Sequence, residues 1–278
     1  MVPALERTVR SVPCRDGPAA PLSLAPGEVG LWLLDYRHAL RFAVPPGLLS
    51  ADERARQAGL TDDVQRRRFQ LRCAALRTVL SAYAATPPDA WRFDTGRYGG
   101  RHLTPAQAAA SGLVFSLSHS SRYTVIGITR QARLGVDVQP VSSSCDLPAI
   151  AGRFFAPAER AALAALAPAR VPRAFCEHWT FKEAYTKAIG LGLTIALDDI
   201  VFDLTASRTV GYTLPAGAIH RSARWHMAQC LLPGRQVLAV CCEHRGPGGM
   251  PPTVRRLTSL TSAQAVDIGR WRSTGGHA

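Results

Sequence analysis

The order of the apolar patterns along the chain is the feature that most constrains its fold. Residues 30–37 have the continuous apolar character of a buried strand, and helical segments begin at Ser50 and after Thr61. The second helical segment carries apolar residues at alternating spacings of four and three, which is the period of one face of an amphipathic helix. These residues are Phe69, Cys73, Leu76, Leu80 and Tyr83. Strand patterns follow at 91–93, 113–118 and 123–129.

The same order of elements then occurs again. A strand pattern at 134–139 precedes helical segments at 157–166 and 171–189, and further strand patterns follow before residue 245. The repetition of strand, helices and strands predicts an α+β fold. We expect two similar halves related by a pseudo-twofold axis, comprising residues 30–133 and 134–245.

Two end segments lie outside this order. Residues 1–29 are rich in proline and glycine and lack a continuous apolar core, which favours a flexible leader over a secretory signal. We interpret residues 246–278 as a C-terminal appendage with one short helix near 262–272. No apolar run approaches the length that spans a bilayer. The seven cysteines are irregularly spaced and form no Cys-x-x-Cys pair, so we expect reduced thiols and a cytoplasmic protein.

The charge of the chain favours an anionic partner. Lysine and arginine together number 33 against 20 acidic residues, giving a formal net charge of +13. Nucleic acid, a phosphorylated small molecule and an acidic protein all satisfy this requirement. Only two of the basic residues are lysines, Lys182 and Lys187, and they flank Glu183 in the segment "HWTFKEAYTK".

The spacing of this segment puts Glu183 and Lys187 on one face of a helix. A surface ion pair is the simplest interpretation, and such a pair contributes only about 0.3–0.5 kcal/mol. Arginine would serve that purpose equally well, and the chain uses arginine at every other basic position. A lysine is a compact charge that transfers a proton more readily than arginine does. The two lysines therefore favour a site that needs a proton donor or a slim ammonium group near a phosphate.

Two other short segments carry polar residues at strand ends. Asp137 alternates with valines in "LGVDVQ", where a buried acid must be paired or bind a metal. It is either a strand-end or arginine-paired residue, or, together with Glu183, a pair of carboxylates for Mg²⁺. Ser118 and His119 lie in "FSLSHS", and this histidine is either structural or part of a loop that binds phosphate.

The combination of these segments resembles a known family. "LGVDVQ", followed about 40 residues later by "WTFKEAYTKAIGLGL", resembles the 4′-phosphopantetheinyl transferases of the Sfp type. Upstream, "RRRFQLRCAALRTVL" looks like the basic helix of that family, "FDTGRYGGRHL" like its Tyr-Gly-Lys-Pro segment, and "FSLSHSSRYTVIGI" like its Ser-His-Ser turn. The resemblance extends from about residue 30 to 243 and leaves both end segments outside it.

The resemblance implies Mg²⁺-dependent transfer of the phosphopantetheine arm of coenzyme A to a serine of a carrier protein, with release of 3′,5′-ADP. It implies that Asp137 and Glu183 hold the metal and that Glu183 also acts as the base for the serine. Lys182 would contact the pyrophosphate, and Lys187 would stabilise or protonate the departing phosphate. Gln139 stands where the family commonly has a second acid, and its side-chain oxygen would be an uncharged ligand.

The same resemblance implies further contacts with coenzyme A. Ser118 and His119 would bind the region of the 3′-phosphate, helped by arginines of the basic helix. Those arginines are Arg77, Arg72 and Arg66. The turn at 98–102 would hold adenine largely through backbone groups. Gly100 occupies the place of the family's lysine in this turn, and Arg101 is its nearest substitute.

The carrier implied by the resemblance is an acidic acyl or peptidyl carrier protein of polyketide, nonribosomal peptide or fatty-acid synthesis. We expect a monomer, since two halves build one site at their own junction, and we expect neither nucleic acid nor membrane as a partner. Two alternatives keep part of the pattern. A basic nucleic-acid-binding protein would explain the charge alone, and a catalytically inactive coenzyme A binder would explain the uncharged Gln139.

Overall fold

The computed structural model describes residues 9–13, 21–25, 28–130, 132–142, 146–215, 224–244 and 252–274. The helices are α1 Tyr36–Ala39, α2 Ala51–Ala58, α3 Asp63–Ser81, α4 Pro105–Ser111, α5 Leu147–Phe154, α6 Pro157–Ala164 and α7 Val171–Ile189. The strands are β1 Val9–Pro13, β2 Gly30–Asp35, β3 Phe93–Thr95, β4 Arg101–Leu103, β5 Leu113–His119, β6 Tyr123–Arg130, β7 Leu134–Pro140, β8 Val201–Asp203, β9 Gly211–Thr213, β10 Arg224–Leu232, β11 Gln236–His244, β12 Thr253–Leu257, β13 Ser262–Ala265 and β14 Arg272–Ser273.

The first half is built from a strand, a long helix and a hairpin. Strand β2 leads to α3, and the β5–β6 hairpin returns so that β6 lies between β2 and β5. The buried face of α3 packs on this sheet, as the spacing of its apolar residues predicts, with Cys73, Leu76 and Leu80 in the shared core. Phe69 of the same series lies at the edge of that core.

The second half repeats this connectivity. Strand β7 leads to α7, and the β10–β11 hairpin returns so that β11 lies between β7 and β10. The predicted α+β fold of two similar halves is therefore confirmed. The local end signals of the helices are confirmed as well. Ser50 and Glu53 form both bonds of the capping box of α2, and Gly190 ends α7 with a φ of 73°.

The two halves meet where β5 and β7 lie side by side. One apolar cluster contains residues of both halves, and serine side chains of β5 also accept hydrogen bonds from the backbone of β7. Ser116 Oγ accepts from the Val136 N–H at 3.0 Å, and Ser118 Oγ accepts from the Val138 N–H at 3.3 Å. Ser118 is thereby fixed beside the strand that carries Asp137.

A glycine sets the distance between α7 and β7. A Cβ atom on Gly135 would lie 1.8 Å from the Ala184 carbonyl oxygen and 2.6 Å from the Ala188 nitrogen. Only a glycine permits this approach, because both colliding atoms belong to the helix backbone. The close packing brings the C-terminal part of α7, where Glu183 and Lys187 lie, against the beginning of β7.

The two end segments differ from the prediction. Val9–Pro13, within the expected leader, forms β1 and pairs with β13, whereas residues 1–8 and 14–20 lie outside the described part of the chain. The short helix expected near 262–272 is wrong, since this region contains β13 and β14. Strand β12 pairs in parallel with β2, and β14 pairs with β10. The C-terminal segment therefore adds strands to the six-stranded sheet of the first half and to the four-stranded sheet of the second half. Pairing with an existing sheet overrides a weak local helix preference.

The described helices include none that is both long enough and apolar enough to cross a membrane.

Candidate active site

Asp137 is the centre of a cluster contributed by β5, β7 and α7. Its side chain is almost fully buried, and its Oδ1 atom lies 2.6 Å from Lys187 Nζ. The same oxygen accepts a hydrogen bond from Ser118 Oγ at 2.7 Å. Lys187 Nζ also donates to the Val136 carbonyl oxygen and to Ser118 Oγ, both at 3.2 Å. The structure therefore brings together three predicted site residues that lie up to 69 positions apart in the chain.

Glu183 lies one helical turn before Lys187, on the same side of α7. Burial raises the pKa of its carboxyl group, the charge of Asp137 raises it further, and Lys187 opposes both. Within the described part of the chain, the Glu183 carboxylate makes no hydrogen bond or ion pair. A carboxylate that is partly desolvated and close to another acid is suited to accept a proton or a cation.

Gln139 lies two residues after Asp137 on β7 and contacts it. Its Nε2 atom donates to Asp137 Oδ2 at 3.2 Å. Turning the amide over would present its oxygen instead, because the two ends of the group have nearly the same shape.

The residues around Asp137 fit a magnesium ion. The described residues contain no group of three or more histidine, cysteine, aspartate or glutamate side chains with metal-binding geometry. Mg²⁺ bound together with a phosphorylated substrate needs only one or two carboxylates, and phosphate oxygens and water complete its shell. Asp137, the unpaired Glu183 and the amide of Gln139 supply such a set.

His119 lies at the end of β5 and completes a basic region beside this cluster. Partial burial lowers the pKa of its imidazole to about 4, and the charges of Arg72 and Lys187 add to the effect, against the opposing charge of Asp137. His119 is therefore neutral near pH 7 and lies among positive charges. Such a region attracts a phosphate group.

A cavity of about 420 Å³ opens between the two halves. Gly100 and Arg101 from the predicted adenine turn line one side, and Lys187 and Gly190 from the end of α7 line the other. The remaining lining residues are Gly96, Tyr98, His102, Val114, Phe115, Ala132, Arg133, Leu134, Ala188 and Glu243. The turn at 98–102 and Lys187 thus share one cavity, as the resemblance implies.

Several of these lining residues were absent from the predicted site. Tyr98 and His102 begin and end the predicted turn at 98–102, although only Gly100 and Arg101 were named in it. Arg133 and Glu243 form an ion pair at 3.4 Å on the wall of the cavity. They are 110 positions apart, and no local pattern connects them.

The predicted role of Lys182 is wrong. Its side chain has no exposed surface, and its Nζ atom lies 2.7 Å from the carboxylate of Glu159, which is also fully buried. The same ammonium group donates to the carbonyl oxygens of Leu197 at 2.8 Å and Ile200 at 2.5 Å. The ammonium group of Lys182 is enclosed by these protein acceptors and has no exposed surface, so a pyrophosphate cannot reach it. A compact ammonium fits this closed space, and the larger guanidinium group of an arginine does not.

The predicted contact of Arg77 with coenzyme A is also wrong. Arg77 is almost fully buried, pairs with Glu53 at 2.9 Å and donates to the carbonyl oxygens of Pro88 and Trp91. These interactions hold α3 against its neighbours and leave the guanidinium inaccessible to coenzyme A. Arg66 bonds to the carboxylate of Asp63 and to the Leu60 carbonyl oxygen at the beginning of its own helix and is partly exposed, so its contact with coenzyme A stays a prediction. Of the three arginines, only Arg72 lies close enough to His119 to affect its pKa.

Comparison with known proteins agrees with this arrangement. The model of the 4′-phosphopantetheinyl transferase superfamily (ACPS) matches residues 133–241, which include Asp137, Glu183 and Lys187. The chain is 32% identical over 185 residues to the 4′-phosphopantetheinyl transferase HetI of Nostoc sp. (strain PCC 7120), covering 66% of this chain and 77% of HetI. It is 29% identical over 143 residues to the 4′-phosphopantetheinyl transferase Sfp of Bacillus subtilis (strain 168), covering 50% of this chain and 59% of Sfp.

A solved structure also matches in part. The crystal structure of holo-[acyl-carrier-protein] synthase from Thermotoga maritima aligns over 42% of this chain and 67% of that chain, with a TM-score of 0.34 and 20% identity.

The chain belongs to the 4′-phosphopantetheinyl transferase superfamily. It is a transferase, and its class of activity is phosphopantetheinyl transfer to carrier proteins.

Proposed function

We propose that this protein is an Sfp-type enzyme that transfers the 4′-phosphopantetheine arm of coenzyme A to a serine of an apo acyl or peptidyl carrier protein. The products are the holo carrier and 3′,5′-ADP, and the reaction depends on Mg²⁺. One observation carries the proposal. Lys187, held by Asp137 and one turn from the unpaired Glu183, lies on the wall of the same cavity as Gly100 and Arg101.

The metal ligands in this proposal are Asp137, Glu183 and the amide of Gln139. When bound, Mg²⁺ neutralises charge on the diphosphate, which is the main requirement of phosphoryl-type transfer. The raised pKa of Glu183 supports this assignment, since an adjacent cation would relieve the repulsion between its carboxylate and Asp137.

Glu183 also serves as the base. Its carboxylate has no partner among the described residues, so it is available to take the proton of the carrier serine, directly or through a water molecule. The carboxyl group of Glu183 has a raised pKa, which increases its strength as a base in the ionised form.

Lys187 donates to the departing phosphate. Asp137, Ser118 and the Val136 carbonyl hold its ammonium group at the wall of the cavity, and in this proposal one of these hydrogen bonds is exchanged for a bond to the departing phosphate. Preorganisation of this kind removes the cost of orienting the donor during the reaction.

The remaining contacts bind the nucleotide part of coenzyme A. In this proposal Arg72 and the neutral His119 bind the 3′-phosphate beside Ser118, and the effect of the Arg72 charge on the pKa of His119 supports their proximity. The turn at 98–102, which includes Gly100 and Arg101, lines the part of the cavity that accepts adenine.

The partner in this proposal is an acidic carrier domain of polyketide or nonribosomal peptide synthesis, within secondary metabolism in the cytoplasm. The net charge of +13 complements such a carrier and accelerates encounter with it. The protein acts as a monomer in this proposal because both halves of one chain contribute to the site, and it needs neither nucleic acid nor a membrane.

Intact-mass spectrometry of an apo carrier protein tests the reaction directly. The carrier is incubated with this protein, coenzyme A and Mg²⁺, and a parallel sample contains EDTA. We expect a mass gain of one phosphopantetheine that EDTA abolishes. Glu183→Gln and Lys187→Met are expected to reduce the rate by about 100-fold or more, in the range that acid–base groups contribute. Arg173→Gln, on the exposed first turns of α7, is the matched control with an unchanged rate.

Three results would contradict parts of this proposal. Transfer that persists in EDTA would contradict the dependence on Mg²⁺. Near-normal transfer by Glu183→Gln would contradict the role of Glu183 as the base. The absence of transfer to several unrelated carriers, with coenzyme A still bound, would indicate an inactive binder.

A further inference from the structure

Glu53 connects a helix outside the cavity to a cation on its wall. Glu53 lies on α2 and does not line the cavity, yet its Oε1 atom lies 2.5 Å from Nη2 of Arg101. Arg101 lines the cavity and is partly exposed to it, with 27% of its side-chain surface accessible. Among the residues that the structure describes, the carboxylate paired with Arg101 is that of Glu53, which is almost fully buried.

Glu53 is shared between two arginines. Its second oxygen, Oε2, pairs with the buried Arg77 at 2.9 Å and accepts the Ser50 N–H, also at 2.9 Å. The guanidinium groups of Arg77 and Arg101 both lie against the ring of Phe93, at 5.1 and 4.4 Å from its centroid. The rigid ring and the buried carboxylate thus restrict Arg101 on two sides.

The three side chains of Glu53, Arg77 and Arg101 together carry a net positive charge. Burial alone would raise the pKa of Glu53, but hydrogen bonds from Arg101 and the Ser50 backbone, with the charges of both arginines, lower it. The carboxylate is therefore ionised, and one negative charge faces two positive charges. Because Arg77 is inaccessible, the net charge of +1 is presented to the cavity through Arg101.

Arg101 also retains hydrogen-bonding capacity. The guanidinium group has five N–H donors. Among the described residues, Glu53 Oε1 accepts a hydrogen bond from Nη2, and Cys73 Sγ accepts a weak one from Nη1 at 3.7 Å. The remaining donors are available to an anion in the cavity.

We infer that Glu53 is a positioning residue that fixes Arg101 to bind a phosphate group of coenzyme A. The inference rests on the proposed function for the identity of the ligand. Arg101 would then take the role of the family's lysine, whose place Gly100 occupies. The helix α2 would contribute to substrate affinity through Glu53, although no residue of α2 lines the cavity.

The test measures the Kd and KM for coenzyme A, together with kcat, for Glu53→Gln, Arg101→Ala and the double variant. Glutamine preserves the capping box of α2 but removes the charge that holds Arg101. We expect Glu53→Gln to raise Kd and KM about tenfold, as for loss of a charged hydrogen bond, with kcat within about twofold of the wild type. Arg101→Ala should raise them at least as much, and the double variant should match Arg101→Ala because both changes remove one interaction.

Ser50→Ala is the control for a purely structural effect. It breaks the other bond of the same capping box and weakens α2 without touching Arg101, so it should lower the melting temperature and leave KM unchanged. Glu53→Asp serves if Glu53→Gln fails to fold, since it keeps a charge for Arg77 and withdraws the carboxylate from Arg101. It should also raise KM for coenzyme A.

Dephospho-coenzyme A, which lacks the 3′-phosphate, identifies the phosphate. If the effect of Arg101→Ala disappears with this substrate, Arg101 binds the 3′-phosphate; if the effect persists, it binds the diphosphate. An unchanged Kd in both Glu53 variants, or additive effects in the double variant, would overturn the inference. Absence of transfer by the wild type would instead refute the proposed function, and the Kd values would still decide the role of Glu53.

Discussion

Replacing Lys182 with methionine tests whether the first of the two lysines supports the fold or the reaction. Lys182 and Glu159 form an ion pair at 2.7 Å in which neither side chain has exposed surface. Methionine preserves the length and apolar character of the stem but leaves the Glu159 carboxylate without its cation. Removing one partner of a buried pair costs about 3–5 kcal/mol. We expect the free energy of unfolding to fall by that amount.

A second substitution, at Glu159, tests whether the unpaired carboxylate causes this loss of stability. Glu159 also accepts the backbone N–H groups of Ala156 and Phe202, each at 2.9 Å. Burial raises the pKa of its carboxyl group, and the side chains of His178 and Lys182 and the Phe202 N–H lower it to below its usual range. The contacts with His178 and Phe202 still favour the ionised form of Glu159 when Lys182 is absent. Adding Glu159→Gln to Lys182→Met removes that unpaired charge, so the double variant should recover part of the lost stability.

Urea unfolding followed by tryptophan fluorescence measures the stability, and transfer rates are measured on the same preparations well below the midpoint. Lys182→Met should retain a near-normal rate in the folded protein. Lys187→Met is the matched control, since this lysine is 29% exposed and Asp137 keeps its bonds to Ser118 and Gln139. The Lys187→Met variant should lose less stability than Lys182→Met does. Its transfer rate should fall by about 100-fold or more. Lys182→Met with unchanged stability and abolished transfer would refute the structural assignment.

Three further predictions concern the same junction. Gly135→Ala should lower the free energy of unfolding by at least about 3 kcal/mol, because its Cβ meets the Ala184 carbonyl, and unchanged urea unfolding would contradict this. Gln139→Glu should give half-maximal transfer at roughly tenfold less Mg²⁺, as a charged ligand replaces a neutral one, and an unchanged Mg²⁺ titration would remove Gln139 from the site. With a pKa lowered to about 4, the imidazole of His119 should show no NMR titration between about pH 5 and 8. The free energy of unfolding should also fall as the pH falls from 6.5 towards 4, because in this range only the unfolded chain takes up the proton on His119.

The long helix α7 shows how far the sequence could predict the site. Its bounds, its final glycine and the shared face of Glu183 and Lys187 depend on residues within about four positions, so they were predictable from the local pattern. Asp137 was predictable for a similar reason, since an acid within an apolar strand needs a partner or a metal.

The neighbouring Lys182 shows where this reasoning ends. Adjacent residues on a helix point about 100° apart, so two lysines around one glutamate do not share an environment. The partners of Lys182 come from residues 15 to 23 positions away, on α6 and in the segment after α7. Nothing within the segment "HWTFKEAYTK" indicates that one ammonium faces a carboxylate in the core and the other faces the cavity.

The arginines of the first half show the same limit. Arg77, Arg66 and Arg72 share a basic helix, and the sequence alone could not distinguish the residue near His119 from those bonded within the protein. The positions of Arg77 and Arg101 depend on Glu53, which is 24 and 48 positions away from them. In the C-terminal segment, residues expected to form a helix instead pair as strands with both sheets.

By itself, the sequence determined the α+β class, the repeated order of elements, the ends of α2 and α7, and the prediction that Asp137, Glu183 and Lys187 form a polar site. These features follow from periodicity, capping and the cost of burying charge, all of which act over short distances along the chain. Only the tertiary structure decided which basic residues reach the cavity and which are structural. That choice depends on contacts between distant segments, such as the packing of α7 on Gly135, which turns one face of the helix toward Asp137 and the other toward the core.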